Sequence, residues 1–144
     1  MIQRIQTIFY FLSGLCFGGE FVLPFATSTT QNSGIFSDMK YNVNDHIGLL
    51  ILTGLGVVLS LAAVFMYGNR KNQMKTGYLL ATIAIILPVI AVLIYIGQTE
   101  SIGDIVINDG AGLYLPIGMI LFAILGVTFT KKDEKLVKSM DRLR

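Results

Sequence analysis

The sequence is poor in charged residues. Only 14% of its 144 residues are Asp, Glu, Lys or Arg, whereas a typical soluble domain has about 25%. A small soluble domain needs a large polar surface, because much of its chain still faces water after folding. With a hydrophobic content of 53%, this shortage of charge excludes a disordered chain, a nucleic-acid-binding protein and most soluble enzymes. The class that remains is a polytopic α-helical membrane protein with a single domain, residues 1–144.

Cysteine and histidine are almost absent. The single cysteine, Cys16, cannot form an intramolecular disulfide, and in its apolar surroundings a thiol usually packs as a small apolar side chain. The single histidine, His46, has no second His or Cys at the spacing of metal ligands. No nucleophile–base pair or phosphate-binding loop is present either. We therefore expect no metal, no cofactor and no enzymatic activity.

Four apolar stretches are long enough to cross a membrane. A bilayer core of about 30 Å requires about 20 mainly apolar residues in a helix, and a backbone in lipid must satisfy its own polar groups. The sequence therefore predicts an all-α bundle of four transmembrane helices, at residues 5–26, 47–67, 76–97 and 113–129. Residues 131–144 are predicted to continue the fourth helix, because Leu136 and Met140 share one helical stripe and Glu134 can pair with Lys138 one turn later.

The basic residues predict the orientation of the bundle. Ten of the eleven Lys and Arg residues precede the first stretch, separate the second from the third, or follow the fourth. Lys40 alone lies on the other side, which also carries several aspartates. Because Lys and Arg in short loops stay on the cytoplasmic side, both termini are predicted to be cytoplasmic.

Two longer loops, residues 27–46 and 98–112, are predicted to face outward. They contain short β-branched and aromatic runs, 35–36, 41–43 and 105–107, beside Gly and Asn. Such runs are typical of short strands. We expect either a small β-hairpin or sheet over the outer end of the bundle, or irregular loops.

Glu20 is the one ionisable residue well inside a predicted span. A carboxylate at that depth costs several kcal/mol unless it is protonated, hydrogen-bonded or in a wet cavity. Thr53, Tyr95 and Tyr114 are predicted at similar depth or nearer the interface, so the four side chains form a candidate intramembrane polar cluster. A role in moving a proton, cation or substrate and a structural hydrogen bond both remain open.

Small residues occur at four-residue spacing in the first two spans. Gly14 and Gly18 form one such pair, and Gly56 with Ser60 forms another. This spacing lets helices approach closely. We interpret this spacing as packing between helices of the same chain, in preference to contacts between copies of the chain.

Three stretches carry a resemblance to a known family. The chain opens MIQRIQT, residues 68–73 read GNRKNQ, and residues 132–144 read KDEKLVKSMDRLR. In these motifs the sequence resembles the small bacterial inner-membrane proteins of domain-of-unknown-function family 4293, typical of Bacteroidetes, over nearly its whole length. The resemblance implies four membrane helices, a bacterial inner-membrane location and no established activity.

All three motifs are predicted to be cytoplasmic, which makes that face the candidate partner-binding surface. Acidic residues of the tail can pair with basic residues of the chain start or of the loop between helices two and three, and so fix the tail against that loop. The candidate residues are Arg4, Asn69, Arg70, Lys71, Gln73, Asp133, Glu134, Leu136, Met140, Asp141 and Arg142.

Three classes of function compete. The leading hypothesis is a non-catalytic accessory or scaffold protein whose partners are membrane lipids and other subunits of a membrane complex, with no nucleic acid and no identified small-molecule substrate. The alternative is a small proton-coupled transporter that uses Glu20. A third class is an enzyme or binder acting on a lipid or quinone between the helices.

Overall fold

The computed structural model describes residues 5–29, 36–99 and 107–141. Four helices lie within these ranges: α1 (Ile5–Gly19), α2 (Ile47–Phe65), α3 (Arg70–Thr99) and α4 (Leu115–Asp141). Helix α1 packs against α2 and α4, and α3 packs against the same two helices, so the four close into a bundle. We call the end of the bundle where α1 and α3 begin, at Ile5 and Arg70, the tail end. The opposite end, where α2 and α4 begin, is called the sheet end because a small β-sheet, described below, lies there.

Three of the helical segments are long and apolar enough to cross a membrane: Ile47–Gly68, Arg70–Gln98 and Ala111–Met140. The fourth, α1, is apolar but has only 15 residues. The predicted continuation of the fourth helix is confirmed as far as Asp141, to which α4 runs without a break; residues 142–144 lie outside the described residues. Helix α3 begins at Arg70, earlier than the predicted residue 76, and contains Pro88.

The predicted first helix, residues 5–26, is too long. The helix ends at Gly19, and the chain then turns, with the backbone N–H of Leu23 donating to the Gly19 carbonyl at 2.9 Å. Two adjacent glycines weaken the helix at this point, and Pro24 disfavours helical backbone in the residue before it. The residues that follow stay apolar but form a turn and a strand, because apolar composition reports the environment of a segment and not its conformation.

Buried positions recur along each helix with alternating spacings of four and three residues. This spacing places one stripe of each helix toward a common centre, as in left-handed bundles. The stripes are Gln6, Tyr10, Ser13 and Phe17 in α1; Leu49, Thr53, Gly56, Ser60 and Ala63 in α2; Gln73, Gly77, Leu80, Ala84, Leu87 and Ala91 in α3; and Met119, Ala123, Gly126 and Thr130 in α4. The outward positions carry large apolar side chains such as Ile8, Leu55 and Ile124, which suits a lipid environment.

A small antiparallel sheet lies at the sheet end, so the predicted sheet is confirmed, but its strands differ from the predicted runs. Among the described residues of those runs, Tyr41 and Ile107 lie in strands, whereas Phe36 lies in a turn and Val43 begins a short 3-10 helix. Its strands are β1 (Ala26–Ser28), β2 (Lys40–Tyr41) and β3 (Ile107–Asp109), in the order β2-β1-β3. Residue 35 and residues 105–106 of the predicted strand runs lie outside the described residues. The central strand β1 was not predicted as a strand, because its residues were assigned to the first span and the polar loop after it.

The sheet is joined to the bundle by a close backbone approach. The N–H groups of Gly110 and Gly112 donate to the carbonyls of Phe25 and Pro24, both at 2.9 Å. A Cβ on Gly110 would overlap the Pro24 carbonyl. Glycine is therefore required at this position to let the segment before α4 contact the segment before β1.

Candidate functional site

A buried hydrogen-bond network joins the helices at the tail end. The Gln6 amide nitrogen donates to the Gln73 side-chain oxygen at 3.1 Å, and the Gln73 amide nitrogen donates to the Ala63 carbonyl at 2.8 Å. Gln6 and Gln73 are both buried. Since these residues belong to α1, α3 and α2, one glutamine connects three helices.

Gln73 also completes the C-terminus of α2. Ala63 lies in the last turn of that helix, where backbone carbonyls lack partners within the helix. The Gln73 amide supplies a donor to one of them. A buried carbonyl without a partner would destabilise the fold, so the fully buried Gln73 has a structural role that its position in an otherwise polar loop motif does not reveal.

Tyr10 extends the network to α4. Its hydroxyl lies 3.4 Å from both the Gln73 carbonyl and the Thr130 hydroxyl oxygen. Its ring occupies a slot between α3 and α4, because a Cβ on Gly77 or on Gly126 would lie 2.8 Å or less from atoms of the Tyr10 side chain. The two glycines therefore make room for a large side chain that is fully buried.

An ion pair lies at the edge of this network. Arg70 Nε lies 2.6 Å from Asp133 Oδ2, and both side chains are partly buried. This pair joins the start of α3 to the extension of α4, which we define as residues 131–141. A second pair, Lys138 with Glu134 at 2.8 Å, lies within the extension. The predicted attachment of the tail to the loop between helices two and three is thus made by Arg70 and Asp133.

The remaining residues of the candidate partner-binding surface differ in exposure. Asn69 and Lys71 are exposed, and so are Leu136 (63%) and Met140 (61%). Gln73, in contrast, is placed inside the bundle. Arg4, Arg142 and the side chain of Asp141 lie outside what the structure describes.

A groove separates the start of α1 from the extension. It has a volume of about 280 Å³, and Ile5, Phe129, Leu136 and Met140 are among its lining residues. Asp133 also lines it, so the groove runs beside the Arg70–Asp133 pair. An apolar side chain of another molecule would fit this groove chemically.

Glu20 and Thr53 are two further buried polar side chains, toward the sheet end. Both side chains are fully buried, and Glu20 follows directly after α1. Within the described residues, neither Glu20 carboxylate oxygen nor the Thr53 hydroxyl has a hydrogen-bond partner. The other two members of the predicted cluster lie in different surroundings: Tyr95 packs against the rings of Phe36 and Tyr41, and Tyr114 is exposed.

Residues 2–143 match a family model described as "Domain of unknown function (DUF4293)". The chain belongs to this family. No curated protein and no solved structure matches it. The resemblance seen in the three sequence motifs is therefore confirmed. The family description names no activity.

The chemistry available to the DUF4293 chain follows from its side chains. Among the described residues there is no group of three His, Cys, Asp or Glu side chains that could hold a metal ion. His46 accepts a hydrogen bond from the Gly48 N–H at 3.2 Å and so caps the start of α2. Sequence reasoning missed Gln6, Tyr10 and Thr130 as members of the tail-end network, although each lies on a buried helical stripe that its spacing could have identified.

Proposed function

We propose that this DUF4293 protein is a non-catalytic accessory or scaffold protein of the bacterial inner membrane, of the Bacteroidetes type. In this proposal it spans the bilayer four times, has both termini in the cytoplasm, and binds a subunit of a larger membrane complex. The docking face consists of the α4 extension together with Asn69, Arg70 and Lys71.

The observation that carries this proposal is the exposure of Leu136 and Met140. Both side chains lie beyond Lys131 and Lys132, which are suited to the headgroup region at the membrane surface. At that position they would face water unless another molecule covers them, and clustered exposed apolar side chains are typical of interaction sites. The groove beside them is open to a partner side chain.

The rigidity of the extension supports the same function. The Arg70–Asp133 pair is partly buried, so it is screened less by salt than a fully exposed pair. It holds the extension against α3, and the tail-end glutamine network holds α3 against α1 and α2. A preformed surface loses less conformational entropy on binding than a mobile tail would.

The topology in the proposal is supported by charge and length. The strong bias of Lys and Arg toward the tail end favours a cytoplasmic location for that end. Helix α1 is about 22 Å long at 1.5 Å per residue, and the apolar turn that follows it adds to the thickness that the first segment can cover. We therefore count α1 together with this turn as one of the four spans.

The test is purification of the tagged full-length protein from its native membranes in a mild detergent. We expect one partner at a fixed stoichiometry, and the double variant Leu136→Gln/Met140→Gln should lose it. The matched control is Lys131→Gln/Lys138→Gln, which changes exposed residues of the same helix on the side opposite Leu136 and Met140. A monodisperse monomer without a partner, or retention of the partner by the Leu136/Met140 variant, would contradict the proposal.

A second candidate function is proton-coupled transport through Glu20. The observation that favours it is a fully buried carboxyl group whose two oxygens have no hydrogen-bond partner within the described residues, because intramembrane acids often mark proton or substrate pathways. The test is proton-driven uptake of a small organic cation into proteoliposomes. Uptake abolished by Glu20→Gln and retained by Thr53→Val would favour transport over the scaffold; no uptake, or uptake unchanged in Glu20→Gln, would exclude it.

A further inference from the structure

A cavity of about 370 Å³ lies at the sheet end, between α3, the start of α4 and the sheet. Its walls include Val92 and Ile96 from α3, Leu113 from the turn before α4, and Ile107 and Asp109 from β3. The volume lies within the range of small-molecule sites, which are mostly apolar with a few polar groups. This cavity is at the opposite end of the bundle from the proposed docking face.

Short side chains leave this volume open. Farther along the α3–α4 contact, the buried centre is filled by long side chains such as Leu80, Leu87 and Met119. At the cavity, the facing residues are Pro88, Ala91 and Pro116 instead. These residues reach less far from the backbone, so a gap remains between two helices that pack closely elsewhere.

The cavity is continuous with the apolar exterior of the bundle. Val92, Ile96 and Leu113 line it and are also exposed on the outside, by 46%, 52% and 39%. In a bilayer these side chains contact acyl chains, since the helices that carry them are long and apolar enough to span a membrane. The neighbouring molecules with the best access to the cavity are therefore lipids.

One charged side chain, Asp109, is found among the described residues that line the cavity. It is exposed at the end of β3, where a lipid headgroup would lie above an acyl chain in the cavity. The Tyr41 hydroxyl at the cavity wall is already engaged, because it donates to the Ala91 carbonyl at 2.9 Å. Burial raises the pKa of this phenol, which keeps it a donor to the backbone. The Asp109 carboxylate is therefore the group that determines which lipid headgroup the cavity prefers.

We infer that this cavity binds one phosphatidylethanolamine molecule of the leaflet on the sheet side, with an acyl chain between α3 and α4 and the ammonium group beside Asp109. An ammonium group pairs with a carboxylate, whereas an anionic headgroup such as phosphatidylglycerol is repelled by it. An exposed ion pair of this kind corresponds to a preference of about two- to five-fold between the two lipids.

The absence of tryptophan from the chain permits a site-specific test. The variant Leu113→Trp places a fluorophore at the cavity wall, and Ile117→Trp, at an exposed position on the outside of α4, is the matched control. Each full-length variant is reconstituted into vesicles in which either phosphatidylethanolamine or phosphatidylglycerol carries brominated acyl chains, which quench tryptophan fluorescence. We expect two- to five-fold stronger association of the phosphatidylethanolamine at position 113 and equal quenching by both lipids at position 117.

Asp109→Asn in the Leu113→Trp background should reduce the preference to about one. Equal quenching by the two lipids at position 113, or a preference that survives Asp109→Asn, would overturn the inference and identify only an ordinary lipid contact. Native mass spectrometry of the chain without a tryptophan provides a second measurement that does not require the Leu113 variant to fold. One retained phosphatidylethanolamine is expected, with loss of selectivity in Asp109→Asn; retention of both lipids to the same extent would contradict the assignment.

Discussion

Replacement of Gln73 by leucine tests the buried network at the tail end. Leucine has a side chain of similar size, but it is apolar and cannot form hydrogen bonds. It therefore leaves the Gln6 amide nitrogen and the Ala63 carbonyl without their partners. Hydrogen bonds between membrane helices are worth about 0.6 kcal/mol on average and about 1.7 kcal/mol at most. Two such bonds are lost, so we expect the free energy of unfolding to fall by about 1–3 kcal/mol.

The assay is reversible unfolding of the purified protein in mixed detergent micelles. Among the described residues, the side chain of Gln6 bonds only to Gln73, so Gln6→Leu should cost about half as much as Gln73→Leu. The double variant should cost less than the sum of the two, because both single changes break the same bond. Asn72→Leu, at an exposed neighbouring position, is the control and should stay within about 0.5 kcal/mol. A cost below about 0.3 kcal/mol for Gln73→Leu, or strict additivity, would refute the network.

Two further predictions use the same unfolding assay. A Cβ on Gly56 would overlap the ring of Phe17, so Gly56→Ala should destabilise the protein by about 1–3 kcal/mol. A Cβ on Gly18 would meet no atom within 4 Å, so Gly18→Ala should leave the stability unchanged or raise it by up to about 1 kcal/mol. Arg70→Ala and Asp133→Ala should each cost about 1 kcal/mol and the double variant little more; additive costs would show that the pair does not fix the α4 extension.

The helices that span the centre of the bundle could be predicted from the sequence. Helix α2 begins at Ile47, as predicted, and the continuation of α4 follows from its apolar stripe and its Glu134–Lys138 pair. These features depend on the local periodicity of apolar residues and on the transfer of apolar side chains out of water. Both can be read directly from the sequence. The interpretation of the pair Gly14 and Gly18 as packing positions within the chain holds for Gly14, where a Cβ would overlap Ser60, but not for Gly18, where a Cβ would meet no atom within 4 Å.

The errors come from interactions between distant segments. Composition placed 20–26 in the first helix, but these residues form a turn and part of the central strand, whose partners lie about 15 and 80 residues away in the sequence. Gln73 was predicted on an exposed face, although its partners Gln6 and Ala63 bury it. A polar residue in a polar loop carries no local signal of burial; its partners become visible only when the helices are assembled.

The central claim of the functional proposal is that the tail end, with the α4 extension, faces the cytoplasm. The direct measurement is labelling of single cysteines in intact cells with a membrane-impermeant maleimide, in a Cys16→Ala background. We predict that Asp38→Cys, in the exposed turn before β2, reacts in intact cells and that Ser139→Cys reacts only after lysis. Labelling of Ser139→Cys from outside the inner membrane would contradict the orientation and remove the basis for a cytoplasmic docking face.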